Sequence, residues 1–480
     1  MFRLSEIVKA VGGQLISGNS RLRISGVSID SRKLSSGELF IAIKGDRFDG
    51  HNFIQDAVRK GARAIIGSFD SPQSKVNKKI PYIRVADTRC ALADLARFHR
   101  QRFNIPIIAV TGSNGKTTVK DMIAWILSSR LGVLNNQGTQ NNEIGVPLTL
   151  LRLDISHDVA VLELGTNHFG EIANLVNIAQ PNFGIITNIG PSHLEYLRDV
   201  AGVYKEKISL LKNLRSPKIA ILNADDPWLR KLKNNNRVFM ITYGIKNICD
   251  FYATEIKLTK SKTIEFLVNP SLSHLEPILL RRGCGIDSKR IFRNSNRRSR
   301  IQLTTISYAN IYNALAAIAV ARLFGWNYEL ISKRLARFIF PKGRLSLTKL
   351  KGISFVDDTY NANPTSLSEA LGVLSKFRVR GRRILVMGDM LELGESSDKL
   401  HRQAGIQIAR ICDVFISVGK LTQLSAIQAV RLGLSKDRVF TCEDSLQARK
   451  LLFKTIKPNC RDLILVKGSR LMKMEEVLKE

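Results

Sequence analysis

Acidic residues are scarce in this chain: 41 Asp and Glu stand against 74 Lys and Arg, a formal charge of +33 over 480 residues. That imbalance points either to a basic composition spread over the whole surface or to an anionic partner such as RNA, an acidic lipid surface or a polyanionic substrate. Aromatics are also few, 7% of residues, and the densest basic stretch, Arg281 to Arg300, contains only Phe292. It lacks the stacking platform that single-stranded nucleic acid needs and reads as a solvated loop or insertion. Nothing approaches the roughly 20 consecutive apolar residues of a membrane span, and Met1 to Glu6 is not followed by the apolar core of a signal peptide. The six cysteines (Cys90, Cys249, Cys284, Cys412, Cys442, Cys460) are scattered and form no C-x-x-C. This argues against a zinc site or a disulfide framework and for a reducing, cytoplasmic setting. The length exceeds one typical core, so roughly two to four domains are expected.

Another absence is local. The common phosphate-loop pattern G-x-x-x-x-G-K-[ST] needs a glycine where this chain has Val110. What is present is shorter: Ile105 to Val110 as a buried strand, then Thr111-Gly112-Ser113-Asn114-Gly115-Lys116-Thr117-Thr118, then a helical run with Val119, Ile123, Ile126 and Leu127 on one face. A strand, a glycine turn and a helix N-terminus make an anion cradle. Backbone N–H groups point inward, the helix dipole favours negative charge, Lys116 reaches phosphate oxygens and the Thr117 hydroxyl suits a magnesium ion. A Gly-Asn turn before an ordinary surface lysine is the plainer alternative. The flanking strand and helix favour the cradle.

Around this loop the chain reads as βαβ. Apolar runs at Val159–Leu162, Gly184–Ile186 and Ile219–Leu222 are separated by helical patterns, as parallel strands buried on both faces would be. Short strands at Val27–Asp30, Leu39–Ile43 and Ala64–Gly67, with helices at Phe53–Lys60 and Thr88–Arg102, precede it. Asp70–Lys79 is polar loop. Phe251–Thr305 is weakly β-rich, and helices are expected at Asn310–Leu323 and Tyr328–Phe338. After a break at Pro341–Arg344, strands at Ser354–Val356, Arg383–Met387, Val414–Val418 and Leu463–Val466 restart the alternation as a second nucleotide-fold-like domain.

Ligands of open parallel sheets bind beyond the strand carboxyl ends. There the chain places Glu163, Thr187-Asn188, Asn223 and Asp225. Glu163 stands where a magnesium ligand is needed, although a surface glutamate would read the same by position alone. His193 follows a strand end and a Gly-Pro turn, as a metal or water-binding histidine or as a packing one. Lys205 and Lys207 read as surface helix lysines. Asp357-Asp358-Thr359-Tyr360-Asn361-Ala362-Asn363-Pro364 packs polar groups too densely for most plain turns, and paired acids beside a nucleotide site suit ribose hydroxyls or a metal. Gly388–Gly394 and Val466–Arg470 also follow strands.

Taken together, these motifs resemble the Mur ligases. The resemblance spans nearly the whole chain, through Asp30–Arg32, Gly45–Phe53, Thr111–Thr118, Asn141–Leu151, Glu163–Ile172, Asn188–Glu195, Asn223–Asp226, Lys342–Arg344, Asp357–Pro364, Gly388–Gly394 and Val466–Arg470. It implies an α/β protein of three domains, a central P-loop-type mostly parallel sheet flanked by a small N-terminal α/β domain and a C-terminal Rossmann-like domain. The boundaries expected are 1–85 for the uridine-nucleotide substrate, 86–338 for ATP and 339–480 for closure over the site. Asn141–Leu151 and Asp357–Pro364 point to the branch that adds D-alanyl-D-alanine to UDP-N-acetylmuramoyl-tripeptide, through an acyl phosphate.

The resemblance also assigns roles. Gly112, Ser113, Asn114, Gly115, Lys116, Thr117, Thr118, Asn310, Arg344 and Asp358 would hold ATP. Thr117, Glu163, His193 and Lys207, the last as a carbamate, would hold Mg2+, with Lys116, His193 and Lys207 catalytic. Asp30, Ser31, Arg32, Asn141, Asn142, Asn361 and Asn363 would bind substrate. A monomer without nucleic-acid or membrane partners is implied. Departures are Ala309 where the family usually has His, and Thr139 where it often has Asn. A sibling amide ligase, a nucleic-acid-stimulated ATPase and a non-catalytic scaffold are the competing readings.

Overall fold

A computed structural model describes residues 2–45, 48–68, 80–232, 237–271 and 298–479. The Asp70–Lys79 loop and most of the basic Arg281–Arg300 stretch lie outside these residues.

The centre is a nine-stranded sheet. Its order runs Ser299–Leu303, Ile264–Pro270, Phe251–Leu258, Phe239–Gly244, Ile219–Asn223, Phe183–Ile186, Ile107–Thr111, Val159–Glu163, Val133–Asn135. The pairings from Val133–Asn135 across to Phe251–Leu258 are all parallel, and the last two are antiparallel. The weakly β-rich stretch therefore extends the central sheet.

Alternation along one strand shows why continuous apolar runs were needed. Ile107 and Ala109 enter the core on one face, Ile108 and Val110 the core on the other. The second face is covered by the helices Lys116–Leu127 and Ala309–Leu323. Ala309–Leu323 is buried along nearly its whole length and is apolar on most sides, as expected of an interior helix, with Asn310, Asn313 and Arg322 as its buried polar exceptions. Its alanines (Ala314, Ala316, Ala317, Ala319, Ala321) admit close approach of neighbouring backbone.

The N-terminal part forms a five-stranded sheet ordered Gln14–Ser17, Tyr82–Val85, Ala64–Ser68, Leu39–Ile41, Val27–Ser28. The helix Thr88–Gln101 serves two cores, with Ala91, Leu92 and Leu95 packed on this sheet's core and Ala96 on the central one. The C-terminal part is a six-stranded sheet ordered Ser346–Leu350, Ile353–Asp358, Leu463–Lys467, Arg383–Gly388, Val414–Val418, Val439–Cys442, parallel except for its first pair. One apolar cluster runs from Ile189, Leu194 and Leu197 of the central part into Ala362, Leu367, Met390 and Leu393 of the C-terminal part. The two are packed together on the side that carries the phosphate loop. Among the described residues no helix is long and apolar enough to cross a membrane.

Ile185, fully buried in the middle of the central sheet, tests this core. Ile185→Ala should destabilise by about 2–5 kcal/mol, seen as an earlier urea transition in tryptophan fluorescence. Trp125, Trp228 and Trp326, the only tryptophans, all report on this part of the chain.

A candidate active site at the junction of the central and C-terminal sheets

The loop after Ile107–Thr111 turns because glycine permits it. Gly112 has φ 146°, and a Cβ there would stand 1.9 Å from Thr187 Oγ1. Gly115, at φ 84°, precedes the helix Lys116–Leu127, and its Cβ would meet Asn313 Oδ1 at 2.5 Å. The next strand's loop fixes the turn. Ser113 N donates to Asn188 O and Asn114 N to Asn188 Oδ1, both at 3.0 Å. Ser113 Oγ donates to Gly190 O and accepts from Gly190 N, both at 2.9 Å. Lys116 folds back over the loop, its Nζ donating to Gly112 O (2.8 Å) and Ser113 O (3.3 Å). Burial pushes its pKa down, opposed by Glu163 and reinforced by Arg344.

Glu163 ends its strand 3% exposed. Asn136 holds its backbone on both sides, with Nδ2 donating to Glu163 O and Oδ1 accepting from Glu163 N, each at 2.9 Å. Asn141 Nδ2 donates to Glu163 Oε1 at 2.8 Å, while Oε2 is buried without a hydrogen-bond partner among the described residues. A buried carboxylate oxygen left open in a cleft that Thr117 also lines is a fit for a cation. Among the described residues no three or more His, Cys, Asp or Glu converge on one point. The donor set therefore suits a metal that takes one carboxylate and completes its shell with hydroxyl, water and phosphate oxygens, as Mg2+ does.

Lys207, on the helix Val200–Lys212, is 1% exposed rather than a surface lysine. Burial, then Lys116, push its pKa down to about 7, with Glu206 opposing. Glu206 is itself engaged by the amides of Gly170 and Ile172, each at 2.7 Å. His193 pairs through Nδ1 with Glu392 Oε2 at 2.6 Å, and this hydrogen bond holds the Glu392 carboxyl below its ordinary range.

The C-terminal part supplies the opposite wall. Arg344 donates to Thr117 Oγ1 at 3.3 Å and lies 4.0 Å from the centre of the Tyr360 ring. Asp358, at the end of Ile353–Asp358, pairs with Lys467 Nζ and accepts from Leu345 N at 3.2 Å. Asn363 caps the helix Pro364–Lys376 and donates to Asn114 Oδ1 at 2.8 Å. Asn361 accepts from Lys467 Nζ through its carbonyl at 3.0 Å. Asn310 donates to Thr305 Oγ1 and accepts from Asn313 Nδ2, both at 2.9 Å. Glu369 accepts from Ser307 Oγ and, at 3.2 Å, from the amide of Ala309, the position where a histidine was expected. Burial raises its pKa.

These residues enclose one cleft of about 840 Å³. Ser113 to Thr118, Asn141, Asn142, Glu163, His193, Asn310, Arg344, Asp358, Asn361 and Asn363 all line it. Gly112 and Lys207 do not line the cleft, and Lys207 is within electrostatic reach of Lys116. Asn142 also accepts from Gly145 N at 2.9 Å, which starts the helix Gly145–Leu150. The trio Asp30, Ser31 and Arg32 is not brought to the cleft. It belongs to the N-terminal part, where Arg32 clasps Asp30 through Nε (2.9 Å) and NH2 (3.0 Å) and holds that carboxyl at about 2. Glu369 and Glu392 were missed in the sequence. Each acts across the junction, and nothing in a linear pattern shows what stands opposite.

Three family models match the chain in order: "Mur ligase family, catalytic domain" over residues 23–100, "Mur ligase middle domain" over 110–321, and "Mur ligase, glutamate ligase domain" over 343–470. The chain is 35% identical to the UDP-N-acetylmuramoyl-tripeptide--D-alanyl-D-alanine ligase of Escherichia coli K12, across 99% of this chain and 97% of the relative. Its fold is similar to that of MurF from Acinetobacter baumannii, with TM-score 0.85, 30% identity and coverage of 99% and 98%. It is also similar to MurF ligase from Thermotoga maritima in complex with ADP, with TM-score 0.78, 26% identity and coverage of 94% and 96%.

Gly112→Ala, which drives a methyl group into Thr187, should abolish measurable ATP binding in calorimetry while far-UV circular dichroism stays as in the parent protein.

Proposed function

Because the chain belongs to the Mur ligase family, we infer that its cleft spends ATP to join D-alanyl-D-alanine to UDP-N-acetylmuramoyl-tripeptide, a step of peptidoglycan precursor synthesis. The observation that carries this reading is the phosphate loop itself. Lys116 lies half-buried over it, Arg344 reaches it from the C-terminal sheet, and Glu163 leaves an open oxygen in the same cleft.

The chemistry follows from charge. A carboxylate is a poor electrophile, so its oxygen first attacks the γ-phosphorus of ATP. The bond to the β–γ bridging oxygen breaks, ADP departs, and an acyl phosphate remains. The free amine of the dipeptide then attacks the carbonyl carbon. The bond from that carbon to the phosphate-bearing oxygen breaks, phosphate leaves, and the amine loses a proton. Two anions must meet in the first step, so preorganised cations dominate the barrier. Lys116 exchanges its two carbonyl contacts for phosphate oxygens, and Arg344 supplies a second cation from the closing wall. The loop amides of Gly112 to Thr118 bind the phosphates. Asn310 lies on the adenine side, and Asp358 is positioned for the ribose.

Thr117, Glu163, His193 and carbamylated Lys207 would hold Mg2+, which supplies positive charge between the approaching oxygens. At about 7, Lys207 keeps a large share of its amine neutral near neutral pH. Only that form attacks the carbon of CO2, forming an N–C bond and releasing a proton. Asn141, Asn142, Asn361 and Asn363 line the acceptor side. Asp30, Ser31 and Arg32 take the uridine end of a substrate long enough to reach from the N-terminal sheet. The working division is 1–85 for that end, 86–338 for ATP and 339–480 for closure. Residues of one chain line the cleft, which favours a monomer, and the scattered cysteines favour the cytoplasm.

ADP release should require both UDP-N-acetylmuramoyl-tripeptide and D-alanyl-D-alanine. Release with a single amino acid in place of the dipeptide would instead assign a sibling ligase. Lys116→Ala should lower kcat by at least 10²–10³-fold, since one preorganised donor is worth about 3 kcal/mol or more of barrier. With ¹³C-bicarbonate, a carbamate resonance should grow from pH 6 to pH 8 as Lys207 deprotonates, and should be absent from Lys207→Arg.

A further inference from the structure

His193 and Glu392 come from different sheets and meet at 2.6 Å. His193 follows the Phe183–Ile186 strand of the central sheet, and Glu392 follows Arg383–Gly388 of the C-terminal sheet. Both hold backbones that side chains rarely adopt, with φ 53° at His193 and φ 62° at Glu392. Non-glycine residues persist in this region only where surrounding contacts impose it, and such residues cluster at functional sites. Here the imposing contacts are mutual. Glu195 N donates to Glu392 O at 3.2 Å. Gly394, at φ 54°, lets the second loop approach so closely that a Cβ there would stand 3.0 Å from Glu195 Cα. Two strained turns are thus pressed together, and what they bring into register is one imidazole and one carboxylate.

The chemistry of that contact is directional. An ionised carboxylate only accepts, so in the neutral imidazole the pairing assigns the proton to Nδ1 and leaves the lone pair on Nε2. His193 lines the cleft, so the free nitrogen is the one available to the reacting groups. We propose that Glu392 is a positioning residue for the transfer reaction: it fixes the tautomer and orientation of His193, and because it is carried by the C-terminal sheet, the imidazole is set only when that sheet is docked. The inference rests on the ligase reading of the cleft. It adds a coupling between docking of the third sheet and readiness of the phosphate site, so that ATP is not spent in an unclosed enzyme.

Carboxylate partners of metal-ligating histidines typically contribute 10–100-fold in metal affinity or activity. Glu392→Gly removes the side chain and also relieves the positive φ, so the variant is not expected to unfold. Its kcat should fall about 10–100-fold, with KM for ATP within about threefold and an unchanged or higher melting temperature. Glu392→Gln keeps a carbonyl acceptor for Nδ1–H and should retain kcat within about threefold. In ¹⁵N-imidazole NMR, with His193 assigned by its loss in His193→Gln, the parent and Glu392→Gln should show the Nδ1–H tautomer. Glu392→Gly should shift toward Nε2–H. An Nε2–H tautomer in the parent, an unchanged kcat in Glu392→Gly, or equal loss in the Gly and Gln variants with the parent tautomer in both would overturn the proposal. A parent enzyme that forms no product from the two substrates would instead remove the ligase reading, while the tautomer comparison would still report on the pair.

Discussion

The arrangement depends on basic side chains crowded together at the floor of the cleft. Lys116 lies within electrostatic reach of both Arg344 and Lys207, and burial depresses both lysines, Lys207 to about 7, where its neutral amine is open to carbamylation. Within the protein, Glu163 and Glu206 are the carboxylates that oppose this crowding. Such a concentration of positive charge is costly unless an anion enters and satisfies it. The loop's glycines, the asparagine clamps on Glu163 and the cross-sheet arginine all serve that one condition, a dry positive cradle with an open carboxylate oxygen at its rim.

This condition explains why three sheets are needed. A phosphate loop at the carboxyl end of a parallel sheet binds a nucleotide without help. Handing a phosphoryl group to a second anion calls for a further cation, and the C-terminal sheet brings Arg344 against Thr117 of the loop. Arg344, Asn363, Glu369 and Glu392 all cross the junction to residues of the central part. The N-terminal sheet, packed on the central part through the helix Thr88–Gln101, keeps Arg32 turned to Asp30 and solvent, outside the cleft.

Much of this was legible in the sequence because it is local. The loop from Gly112 to Thr118 carries its own flanking strand and helix, and the doubly buried strands announce themselves as unbroken apolar runs. The short edge strands Val133–Asn135 and Val439–Cys442 and the alternating Phe239–Gly244 escaped notice, since three to six residues with half-polar patterns do not stand out from loop. Lys207 shows the limit most clearly. Its helix neighbours Lys205 and Glu206 suggest a solvated face, and only the fold reveals that Lys207 points inward. The resemblance assigned it a role that no spacing argument reached. Glu369 and Glu392 were opaque for a related reason, since their partners lie about 60 and 200 residues away, and pairing at that distance is decided by docking rather than by pattern.

In the proposed reaction a phosphoryl group passes to the substrate's own carboxylate, and isotope transfer reads this directly. UDP-N-acetylmuramoyl-tripeptide labelled with ¹⁸O in its terminal carboxylate is turned over with ATP and D-alanyl-D-alanine, and the released phosphate is observed by ³¹P NMR. One ¹⁸O per phosphate is expected, because the carboxylate oxygen that attacked phosphorus leaves with it. Phosphate free of ¹⁸O alongside normal product formation would contradict the central claim.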